Sequence, residues 1–228
     1  MHDAPIRPPV IAMTMWLNAL RSGRISATDA VNACEFITQN LDLQYGGKEA
    51  GWAKVVALVS QQRFPCIAVL PTHGDPGGIP TTLLSTPQLA SGAMTIGEDL
   101  ILLQNDNSTW TLHEQRHSVV QPDHAFSRRM FLDGLERATK TLSSADLVGD
   151  RSKVEAELDA LLHNHFPPNV DPRLLTYLDQ ATRVRVVARF ALTDSLAPAS
   201  RSLDNIRIST LQEIDGLARS LITAIASH

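Results

Sequence analysis

His113-Glu114-Gln115-Arg116-His117 is the one stretch of this chain whose residue types and spacing match a motif that could carry chemistry. On a helix, side chains four residues apart leave from one face, so both imidazoles could hold a single Zn²⁺ through a neutral ring nitrogen. The glutamate beside the first histidine would then stand where it can take a proton from metal-bound water. A third ligand is needed, and two carboxylates follow at workable spacing: Asp123, six residues after His117, and Glu136, nineteen after it. In this reading Glu114 is the catalytic base, zinc is the cofactor, and His113 and His117 are metal ligands with Asp123 or Glu136.

Over the eleven residues from His113 to Asp123 the pattern resembles a fragment of the zincin metallopeptidases, which carry H-E-x-x-H followed by a third ligand. That resemblance implies a zinc-dependent metallopeptidase or hydrolase. Val120 stands where the H-E-x-x-H-x-x-G pattern has its glycine. The neighbours point to another conformation. Thr109-Trp110-Thr111 precedes the motif and Ser118-Val119-Val120 follows it, and both triplets favour extended backbone. On a strand the two histidines still share a face, but they lie about 13 Å apart at a rise of ~3.3 Å per residue. One ion cannot span that gap, so the extended reading leads and zinc hydrolysis is the alternative.

Other candidates are local. His73 and Asp75 sit on a glycine-rich stretch over 72–80, where Pro76-Gly77 suits a type II turn. A loop after a strand is a usual address for a small ligand, which makes this the second alternative. His163 and His165 fall at a predicted helix end, where an imidazole meets the negative end of the dipole. Arg183, Arg185 and Arg189 read as a solvated helix face with weak basic character. Cys34 and Cys66 lie in apolar runs and read as small core residues.

The elements that must position these residues fall into two textures. In the first half, Ser26 to Asp29 is a capping box opening a helix to about residue 40, and Gly46-Gly47 breaks the chain. Apolar residues spaced three and four apart predict a helix over 52–62. Strands are predicted over 66–70, 98–104 and 109–115, with a helical turn over 88–94. The second half predicts helices over 122–144, 150–165, 173–196 and from a cap at Ser209 or Thr210 to the end. Phe126, Met130, Phe131 and Leu135 form the stripe of the first of these.

The expected fold class is therefore α+β: about three strands, partly antiparallel, with flanking helices over 1–120, then an antiparallel four-helix part over 121–228. The two parts are read either as separate units or as sharing one core. At 228 residues the chain can bury a sizeable core, and two cysteines exclude a disulfide scaffold. A net charge of −4 argues against a nucleic-acid partner, and no apolar run reaches the ~20 residues a membrane span needs. The expectation is a cytoplasmic protein without a complete catalytic constellation. It would act through a protein partner or self-association, with no nucleic acid, no membrane and no cofactor outside the zinc alternative.

Overall fold

The structure, a computed structural model, describes residues 8–39, 41–72, 74–84, 92–105, 109–142, 165–193 and 201–228. It is a mixed α+β chain in two compact units. One comprises 1–122, 164–170 and 226–228; the other comprises 123–163 and 171–225.

The first unit opens with α1 (Pro9–Arg21), whose proline stands in the first turn, where a missing amide costs nothing. From Val10 to Ala19 this helix is buried on every side, Thr14 and Asn18 included. The capping box forms at α2 (Ala27–Ile37): the Ser26 hydroxyl accepts from Asp29 N, and the Asp29 carboxylate accepts from Ser26 N. That carboxyl is held below its usual range chiefly by its side-chain hydrogen bond with Ser26. α3 (Trp52–Gln61) buries Trp52, Val55, Val56 and Val59, the three-and-four spacing of the sequence.

The sheet has six strands where three were expected: β1 (Asp42–Tyr45), β2 (Lys48–Ala50), β3 (Ile67–Val69), β4 (Ala93–Ile96), β5 (Leu100–Asn105) and β6 (Thr109–Glu114). Their order is β2-β1-β6-β5-β4-β3; β1 and β6 run parallel and all other neighbours antiparallel. Gly46 and Gly47 do more than break the chain. Both take positive φ, the two-residue turn that matches strand twist, and so join β1 to β2. The helical turn expected over 88–94 is corrected at its end, because Met94 lies in β4; residues 85–91 fall outside the described residues. All four β4 residues are buried, so the strand shows no alternation to read.

Side chains alternate between the two faces. On one, Val69, Ala93, Ile101 and Leu103 form a core with Ile79, against which Leu83, Leu84 and Val119 pack. On the other, Trp110 meets Trp52 of α3 edge to face at 6.0 Å between ring centroids. The β3 edge is closed by side chains. Asn18 on α1 donates to Cys66 O and accepts from Cys66 N, standing in for a strand peptide, and Ala68 N donates to Ser227 Oγ. Such cover removes an edge that would otherwise template pairing with another chain.

The second unit contains α4 (His124–Leu142), α5 (Pro172–Thr193) and most of α6 (Arg201–Ala226). The helix expected over 150–165 lies outside the described residues except for His165. On α4 the predicted stripe holds at Phe131, which is buried with Ser127, Gly134 and Ala138, while Met130 and Leu135 are half-buried and Phe126 is exposed. Gly134 lets α4 and α6 approach closely: a methyl there would come within 2.2 Å of Leu217 Cδ1. Ser209 and Thr210, expected to cap the last helix, lie inside α6 with their hydroxyls bonded back to Ile206 O.

Candidate functional site

The HEQRH stretch is not a helix. β6 ends at Glu114, and residues 115–123 run as an irregular strap up to the start of α4. Alternating β-favouring residues set that outcome: Trp110 and Leu112 are buried on the face where Trp110 meets α3, while Thr109, Thr111 and His113 are half-buried on the face of Ile101 and Leu103. His113 is paired in register with Ile101 of β5. Partial burial holds its imidazole below the usual histidine range, so the ring favours its neutral form.

Beyond the strand, a series of hydrogen bonds ties the strap to neighbouring turns. Gln115 N donates to Asp99 O at 2.7 Å and Ser118 N to Gly78 O at 3.2 Å. His117 uses both ring nitrogens here: Nε2 donates to Gly97 O at 3.0 Å, and Nδ1 accepts from Val119 N at 3.3 Å. These partners assign the neutral tautomer with its proton on Nε2. Val119 is thereby set against the apolar face of the sheet. Gly78, at φ +87°, makes the approach possible, because a Cβ there would lie 2.8 Å from Val119 N.

The remaining candidates are engaged elsewhere. The Glu114 carboxylate accepts from the Tyr45 hydroxyl, which pushes the phenol above its usual range. Asp123 is the N-cap of α4: its carboxylate accepts from Phe126 N at 2.8 Å and its carbonyl from Ser127 N. Glu136 pairs with Lys140 one turn along at 2.6 Å, and that hydrogen bond lowers its exposed carboxyl. The histidines follow an extended path, and both ring nitrogens of His117 are engaged by backbone partners. Among the described residues no group of three or more His, Cys, Asp and Glu is placed to hold a metal ion.

On the 72–80 stretch, Asp75 is a turn residue. Its carboxylate accepts from Gly77 N at 3.2 Å, and its backbone pairs with Thr72 in both directions. His73 lies outside the described residues, as does His163. The His165 ring lies tilted against Phe36, 4.8 Å between ring centroids, and its carbonyl accepts from Trp16 Nε1. Cys34 and Cys66 are both fully buried, and burial pushes each thiol up to about 12, far from the thiolate that reactivity needs.

One grouping was not foreseen. Arg185 is buried rather than part of a solvated face, and its Nε lies 3.4 Å from Asp215 Oδ1; Arg219 Nε lies 3.2 Å from Asp215 Oδ2. One carboxylate of α6 thus answers guanidiniums from α5 and from its own helix. Burial, only partly offset by Asp215, brings the Arg185 guanidinium down to about 10. The signal was in the spacing: Arg185 stands between Ala181 and Ala188 on the same three-and-four pattern as the buried Leu178.

Among the described residues no helix is long and apolar enough to cross a membrane. Residues 127–222, a stretch shorter than half the chain that overlaps the helical unit, match the family model described as "Rv1486c-like protein, C-terminal domain". That description names a domain and no reaction. No curated protein and no solved structure matches the chain.

Proposed function

We propose that this chain acts through protein contacts, with self-association the first case to test, rather than by bond-breaking chemistry. The observation that carries the proposal is the set of large apolar side chains left in water. Phe126, Val187 and Ile206, at 53%, 49% and 49% exposed, stand on three different helices of the helical unit, and Val120 is 81% exposed on the strap. Single exposed apolar residues are ordinary on a protein surface; a contact between copies covers such residues where they gather into one patch, which is what this proposal asks of Val187 and Ile206. The residues with catalytic chemistry support the same reading, since Glu114, His117, Asp123 and Glu136 each hold a turn, a cap or a neighbouring side chain.

Light scattering on the eluted full chain over a wide concentration range tests it. The expected mass exceeds one chain and falls when Val187→Ser and Ile206→Ser are combined. A single-chain mass at every concentration, unchanged by those substitutions, would contradict self-association. The zinc alternative makes the opposite demand: His117 must leave both of its hydrogen bonds and the strap must refold. For a ligand loop over 72–80, a thermal-shift screen against metabolites is the test.

A further inference from the structure

We draw no further inference here: the strongest candidate, the buried side-chain cluster of Arg185, Asp215 and Arg219 between α5 and α6, carries nothing because its charges already answer one another within the helical unit and nothing in the structure shows what else would dock on it.

Discussion

The sheet unit and the helical unit bury polar groups in different ways. In the sheet unit, side chains complete the backbone: Asn18 pairs with both backbone groups of Cys66, and His117 holds Gly97 O and Val119 N. In the helical unit, charge answers charge, with Asp215 between Arg185 and Arg219, while Gly134 admits Leu217 of α6 against α4. A peptide group accepts a neutral partner at modest expense. A buried guanidinium needs a carboxylate, and the pair is sensitive to loss of either member.

That contrast ranks the expected effects. Asp215→Ala leaves Arg185 buried without its carboxylate and should destabilise the chain by about 3–5 kcal/mol in chemical denaturation. Replacing the three charges together, Asp215→Leu with Arg185→Met and Arg219→Met, should lose much less, because an apolar cluster needs no compensation. Equal losses in the two variants would remove the charge argument. Asn18→Ala should cost about 2 kcal/mol, since the Cys66 N–H and carbonyl lose a partner in a dry site. A loss within ~0.5 kcal/mol would mean water reaches the β3 edge.

A single substitution type then separates the units by sign. Gly78→Ala puts a Cβ into the strap at positive φ and should cost about 1–3 kcal/mol. Gly216→Ala lies inside α6, where the nearest atom to the new methyl is Arg219 Nη2 at 3.7 Å, and should stabilise by about 0.5–1 kcal/mol through helix propensity. Thermal melts of the two variants, shifted in opposite directions, check the pair.

The smallest effect concerns acid. Burial depresses the folded-state value of His113, so below the usual histidine value the unfolded chain binds more protons than the folded one. Stability is therefore full above about pH 6.5 and declines as pH falls from there toward the depressed folded value. His113→Gln should flatten that part of the curve of melting temperature against pH. An unchanged slope would place the acid sensitivity elsewhere.

Much of this was legible in the residues. The capping box at Ser26, the three-and-four spacing from Trp52 to Val59, the proline opening α5 and the β-favouring residues around Trp110 each encode local structure through near neighbours. What stayed hidden depends on partners far along the chain. β1 and β2 are short and largely exposed, and β4 is buried throughout, so none carries a clean alternation. Thr14 and Asn18 read as interruptions of an apolar segment because their partners, Val10 O and Cys66, appear only on folding. Arg185 and Arg189 looked alike in the sequence, yet a carboxylate thirty residues beyond Arg185, at Asp215, makes burial of Arg185 tolerable. The zincin-like pattern fixed residue types and spacing, while the flanking threonines and valines fixed the backbone on which that spacing is laid out.

The most direct test of the account is zinc binding by the untagged full chain, read by native mass spectrometry at a small molar excess of zinc. An extended path from His113 to Glu114, continued by a strap that His117 clasps, predicts no stoichiometric zinc and identical spectra for the wild-type chain, His113→Ala and His117→Ala. One zinc per chain, lost in both variants, would contradict it.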